Sequence, residues 1–281
     1  MGGSVGTAAF EGSDRYYLSE DLKAIVHMAM TMEKPLLLTG EAGTGKTQLA
    51  FEIARTLHMP IEIMRAKSTF KGEEACYTQD TVLRLNDARF GSESTGREVQ
   101  RFHDYVIWGP IGRAFRAEER VVLLLDEIDK TESDVQDNLL DILEDCSFVI
   151  RETNELVKAI HRPVIILTSN AKRELSDPFL RRCFCHHIAF PSQEEMQQIV
   201  ALHFGQITPS LRDAALKIFY DLRERGFEKP PATSELLHWL EAMKRLDQVP
   251  TADPLPLTGV LLKRSVDLLR LKARGLKDRR P

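Results

Sequence analysis

Apolar runs four to six residues long alternate with polar stretches of helical period over the first 190 residues. Strands buried on both faces under flanking helices give this pattern, so it predicts a parallel sheet in an α/β fold. Five runs read as the strands: 35–39 (PLLLT), 61–64 (IEIM), 121–125 (VVLLL), 164–167 (VIIL) and 185–190 (CHHIAF). Between the first two, residues 47–58 set Ala50, Ile53, Ala54 and Leu57 on one helical stripe, and Pro60 stops that helix. Ahead of the first run, Ser19 stands where an N-cap belongs, before a helix with Leu22, Ile25, Val26 and Ala29 on its inward face.

The connection 66–120 is too long and too polar for a simple crossover and predicts an insertion, with 91–96 (GSESTG) as an exposed turn. Residues 148–159 (FVIRETNELVKA) hold two extended runs around Thr153 and Asn154 and predict a hairpin ahead of the fourth strand. After Pro191 the pattern turns wholly helical: Ser192 caps a segment through Phe204, and 211–222, 233–246 and 259–273 follow. The expected organisation is therefore an α/β part, 1–191, and a small all-α part, 192–281.

Composition adds exclusions. In 281 residues, 43% apolar and 28% charged suit one large core or two smaller ones and exclude a disordered or fibrous chain. The net charge of −4 removes bulk attraction to nucleic acid or anionic membrane, though a local basic patch is still allowed. One such patch closes the sequence, where Lys263, Arg264, Arg270, Lys272, Arg274, Lys277, Arg279 and Arg280 face only Asp267 and Asp278. A solvated helix end accounts for it, and a polyanion or acidic partner is the alternative. Cys76, Cys146, Cys183 and Cys185 read as reduced thiols. Cys183, Cys185 and His187 alternate as they would across a strand, and no second ligand pair lies at finger-like spacing, which disfavours a metal cluster. No run approaches the roughly 20 apolar residues that cross a bilayer, and Met1 to Phe10 lack a basic segment followed by an apolar one. A cytoplasmic chain without membrane insertion is expected.

The chemistry is concentrated at three strand ends. Gly40, Glu41, Ala42, Gly43, Thr44, Gly45, Lys46 and Thr47 match G-x-x-x-x-G-K-[ST] in full, directly after an apolar strand and before a helix that continues with Gln48. Glycines let successive N–H groups turn inward, and the helix start adds its positive end, which together make a cradle for polyphosphate. Lys46 would reach the β- and γ-phosphates, and Thr47 would offer its hydroxyl to Mg²⁺. The strand 121–125 then ends abruptly in Asp126 and Glu127. Charged groups at a buried strand end need a metal, a partner or water, so Asp126 reads as a Mg²⁺ holder and Glu127 as the base for an attacking water. Asp129 reads as a helix-start or surface residue. The strand 164–167 runs into Thr168, Ser169 and Asn170, and Asn170 is placed against the γ-phosphate and the lytic water. Tyr17 reads as a core or interface tyrosine, with the adenine edge as the alternative.

On these residues the chain resembles an AAA+ ATPase over nearly its whole length: Walker A at Gly40 to Gln48, Walker B at Asp126 and Glu127, sensor 1 at Asn170, and a helical lid. The resemblance implies a P-loop NTPase fold, a parallel five-stranded sheet sandwiched by helices, followed by a small all-α lid domain. Within the superfamily the chain resembles the MoxR branch of the helix-2-insert clade. Its insert falls at about 67–107, followed by Gly109-Pro110-Ile111, and its presensor-1 hairpin at about 147–160. Arg182 matches the arginine-finger position, with Arg181 as the fallback. Such a finger would serve a neighbouring subunit's nucleotide.

One position departs from the family pattern. Glu235 stands where relatives place a sensor 2 arginine, so no residue is assigned that role. By resemblance the cofactors are ATP and Mg²⁺, the assembly is a homo-oligomeric, hexameric ring, and the client is a protein, often one with a von Willebrand A domain. Remodelling or maturation of that client is the expected function. A metal chelatase motor, a nucleic-acid-directed motor and a nucleotide-gated scaffold with little turnover are the alternatives; only the basic tail favours nucleic acid.

Overall fold

The computed structural model describes residues 10–68, 72–91, 96–171 and 173–277, with side chains as far as 273. It divides into two compact units. The first holds Leu18–Gly40 and Lys46–Ile188 with residues 10–12; the second holds Ser13–Tyr17, Glu41–Gly45 and residues 189–277. The division falls three residues before the boundary expected at 191, and two short early segments group with the C-terminal helices.

In the first unit, α1 (Glu20–Thr31) starts at Ser19, whose hydroxyl accepts from the Leu22 N–H, and β1 (Leu36–Thr39) follows. Next come α2 (Lys46–Thr56) and β2 (Ile61–Arg65). The long insertion contains β3 (Tyr77–Gln79), α3 (Thr81–Phe90) and β4 (Val106–Trp108), with β3 and β4 pairing antiparallel. After α4 (Pro110–Arg116) and β5 (Val122–Asp126) come α5 (Ser133–Asp145) and a hairpin of β6 (Ser147–Ile150) and β7 (Glu155–Lys158). The unit closes with β8 (Val164–Ser169), α6 (Asp177–Arg182) and β9 (Phe184–His187).

Five strands form one parallel sheet in the order β2-β5-β8-β1-β9, a P-loop NTPase arrangement flanked by helices. Side-chain alternation explains why its strands read as continuous apolar runs. Leu37, Leu123, Leu125, Ile165 and Leu167 join the core formed with Ile111, Phe115, Leu139 and Leu143 of α4 and α5. The alternate positions Leu36, Leu38, Leu124 and Ile166 are equally buried, and α2 buries Leu49, Ala50 and Ile53. The register sets Thr39 beside Ser169 and Leu125 beside Leu167, so β1, β8 and β5 end next to one another.

The insertion is tied to the hairpin through Tyr77, which stacks on Phe148, donates to Glu152 Oε2 and accepts from the Arg151 N–H. At the start of α4, a Cβ on Gly109 would stand 2.3 Å from the Ala75 carbonyl oxygen, so only glycine permits that approach. The two extended runs flanking Thr153 and Asn154 are β6 and β7, with Asn154 in the left-handed region at φ 57. Residues 92–95 of the anticipated turn at 91–96 lie outside the described residues.

The second unit packs α7 (Gln193–Phe204), α8 (Pro209–Glu224), α9 (Thr233–Arg245), α10 (Thr258–Leu261) and α11 (Ser265–Lys277). Its core holds Met196, Val200, Leu216, Phe219, Leu236, Trp239 and Met243. A capping box joins Ser192 and Glu195 at the start of α7. The continuous helix expected over 259–273 is broken between Leu261 and Ser265. The break sets Asp267, fully buried, where its carboxylate accepts from the N–H groups of Glu228 and Lys229. The basic residues after 273 lie beyond the described side chains.

Candidate functional site

Parallel strands direct the loops at their carboxyl ends to one edge of a sheet, where ligands of open α/β folds bind. Here that edge collects the ends of β1, β5 and β8. Lys46 opens α2 with its side chain buried, and its Nζ donates to the Gly40 carbonyl at 2.8 Å. Thr47, next in the helix, donates its hydroxyl to Asp126 Oδ1 at 2.7 Å. Thr168, at the end of β8, donates to the same oxygen at 2.7 Å and accepts from the Glu127 N–H at 2.8 Å. Thr168 therefore holds the Asp126 carboxylate and the Glu127 backbone at once, a role its place in a polar strand end hinted at without defining.

Glu127 leaves the strand in the left-handed region, φ 58 and ψ 47. Its Oε1 accepts from Asn170 Nδ2 at 2.9 Å, and its Oε2 pairs with the Lys130 ammonium. That pairing, first through the hydrogen bond and then through charge, holds the Lys130 ammonium above its ordinary range. Asp129 stands in the first turn of the short 3-10 helix Ile128–Lys130, the helix-start place expected, but it is not on the surface. It is buried and its Oδ1 accepts from the Asn170 N–H at 3.3 Å, which anchors Asn170 beneath Glu127.

The remainder of the glycine loop, Glu41–Gly45, groups with the second unit. Thr44 donates its hydroxyl to the Glu41 carbonyl at 3.0 Å. Gly43 has φ +83, and a Cβ there would lie 2.5 Å from Ala232 Cβ, so conformation and space both demand glycine. Tyr16, not Tyr17, is the tyrosine against this loop: a Cβ on Gly45 would stand 3.1 Å from its ring, and burial pushes its phenol up. Tyr17 instead donates to Glu195 Oε1 at 3.4 Å. Glu235, in the first turn of α9, accepts from the Ala232 N–H at 3.2 Å and the Ser234 hydroxyl at 2.9 Å. Its carboxylate closes the start of that helix.

Arg182 ends α6 half-exposed, with Nη1 at 3.1 Å from Asp141 Oδ1 and Nε at 2.9 Å from Glu144 Oε2, both on α5. Arg181 beside it is exposed. Gln48 donates to Glu52 Oε1 at 3.1 Å along α2.

The residues present fit a magnesium nucleotide. A hydroxyl and a carboxylate 2.7 Å apart are the oxygen pair a hard divalent cation takes, and a buried ammonium resting on a carbonyl is a cation available to phosphate. Fold and strand ends together define a P-loop nucleotide-binding protein. A family model described as the AAA domain, dynein-related subfamily, matches residues 35–183, and the chain belongs to that family.

Among solved structures, a RuvB mutant of Thermotoga maritima is 18% identical with a TM-score of 0.53, covering 89% of this chain and 71% of that one. NtrX from Brucella abortus in complex with ADP is 16% identical with a TM-score of 0.55, covering 95% of this chain and 62% of that one. The same protein in complex with ATP is 17% identical with a TM-score of 0.50. The chain thus spans less than two thirds of the length of NtrX, and identities this low speak for the fold alone.

Proposed function

We propose that this AAA-family chain is a Mg²⁺-dependent ATPase that turns over ATP at the interfaces of a homo-oligomeric ring and uses the cycle to remodel or mature a protein client. One observation carries the reading: at three adjacent strand ends Lys46 donates to the Gly40 carbonyl at 2.8 Å, Thr47 to Asp126 at 2.7 Å and Asn170 to Glu127 at 2.9 Å. When bound, Mg²⁺ would neutralise charge on the β- and γ-oxygens of ATP. Thr47 and Asp126 would hold the metal. Lys46 would leave the Gly40 carbonyl for phosphate, and the N–H groups of 43–47 would cradle the chain of phosphates. Glu127 would take the proton of the attacking water, with Asn170 orienting both. Arg182 would act on the nucleotide of the neighbouring subunit. The MoxR branch is supported by the insertion between β2 and β5 and by the hairpin of β6 and β7, and a hexamer with a von Willebrand A client is the corresponding expectation.

A second reading has a specific basis. Both oxygens of Glu127 are engaged, by Asn170 and Lys130, which favours a nucleotide-gated scaffold with little turnover. Paired variants separate the two. Lys46→Ala is predicted to lose ATP binding in titration calorimetry. Glu127→Gln is predicted to keep binding while phosphate release falls at least about 100-fold. Equal loss of binding in both would contradict the roles assigned, and a wild-type rate as low as that of Glu127→Gln would favour the scaffold.

A further inference from the structure

Arg223 lies in the last turn of α8 with its side chain only 14% exposed, and none of the chemistry above uses it. Its guanidinium stacks 3.3 Å from the centre of the Phe190 ring. Nη1 donates to the Pro231 carbonyl at 2.7 Å, and Nη2 donates to Glu41 Oε2 at 2.9 Å. All of these partners belong to the second unit, and Glu41 is the second residue of the glycine loop. A planar fork held on its face and on two edges is a fixed object, unlike a solvated surface arginine.

The partner it holds is an awkward one. Glu41 puts a carboxylate on a loop whose N–H groups are to receive a polyanion. Left alone, it repels phosphate and competes for the loop's own amides. Nη2 engages that carboxylate directly. Nη1 meanwhile fixes Pro231, the residue before Ala232, whose Cβ marks the wall against which Gly43 packs.

We infer that Arg223 is a positioning residue for the glycine loop: by holding Glu41 and the Pro231 carbonyl it cancels the loop's own charge and leaves the loop amides to a polyphosphate. The inference rests on the ATP reading of that loop. It assigns Arg223 no contact with phosphate; the arginine acts through Glu41.

Binding of fluorescent ATP and AMP analogues with Mg²⁺ to the full chain tests it, with Lys46→Ala as the control for the loop. R223Q is expected to weaken the triphosphate about tenfold, the scale of a charge-assisted hydrogen bond, and the monophosphate less. In an E41Q background the same substitution is expected to cost less than about twofold, because the charge it had to cancel is gone. R223K should recover part of the loss, since an ammonium can pair with Glu41 but cannot also fork and stack. Equal losses in both backgrounds, or equal losses for ATP and AMP, would overturn the inference, as would no loss in either background. Thermal unfolding without nucleotide identifies a variant that fails to fold; R223K then takes its place, and its loss must likewise vanish with E41Q. Retained binding by Lys46→Ala would overturn the ATP reading itself and the inference with it.

Discussion

Asn170 and Glu127 lie 43 positions apart yet share a 2.9 Å hydrogen bond, which only the parallel pairing of β5 and β8 brings about. Asn170→Ala should therefore leave ATP affinity within about twofold and lower turnover by as much as about 100-fold, because a displaced carboxylate or water costs rate before it costs binding. Calorimetry and phosphate release on the same preparation check both halves. The candidate site could be picked out in the sequence because phosphate and metal demand particular residue types at fixed places: glycines for the turn, Lys46 for charge, acids directly after an apolar run. Tyr16, Lys130 and Arg223 were not legible. Their roles come from partners such as Gly45, Glu127 and Glu41, whose proximity no local pattern encodes. The burial of Asp129 was not legible for the same reason, since its partner is the Asn170 N–H.

At the scale of elements, the sheet was readable because Leu36 to Leu38, Val122 to Leu125 and Val164 to Leu167 are buried and apolar on both faces. The helix 259–273 was not, because its apolar spacing runs on through the break at 262–264, and the partners of the buried Asp267 carboxylate, the N–H groups of Glu228 and Lys229, lie far off in sequence. Asp267→Ala removes a buried carboxylate that accepts from two backbone N–H groups and should destabilise the helical unit by about 1–3 kcal/mol. Urea unfolding followed by the fluorescence of the buried Trp239 measures it. The thiols give a second check. Burial pushes Cys76 and Cys183 up to about 12, so at pH 8 almost none of either is thiolate, while Cys185 is exposed. Alkylation of the native chain at pH 8 should mark Cys185 first by peptide mapping; early marking of Cys76 would contradict its burial.

For the whole molecule, no helix of the described residues is long and apolar enough to cross a membrane, and the family is that of AAA domains. The consequence that reaches beyond one chain is Arg182. In the single chain it pairs with Asp141 and Glu144, and action on a neighbour's nucleotide requires it to exchange those partners. Arg182→Ala should keep ATP binding and lose turnover, and mixing it with Glu127→Gln should restore part of the rate through hybrid interfaces. No restoration at any ratio would argue against action between subunits. The most direct measurement of the central claim is steady-state phosphate release from Mg²⁺-ATP across a range of chain concentrations, beside Glu127→Gln. The rate per chain should rise with concentration to a plateau and disappear in the variant. A flat rate that Glu127→Gln leaves intact would contradict the claim.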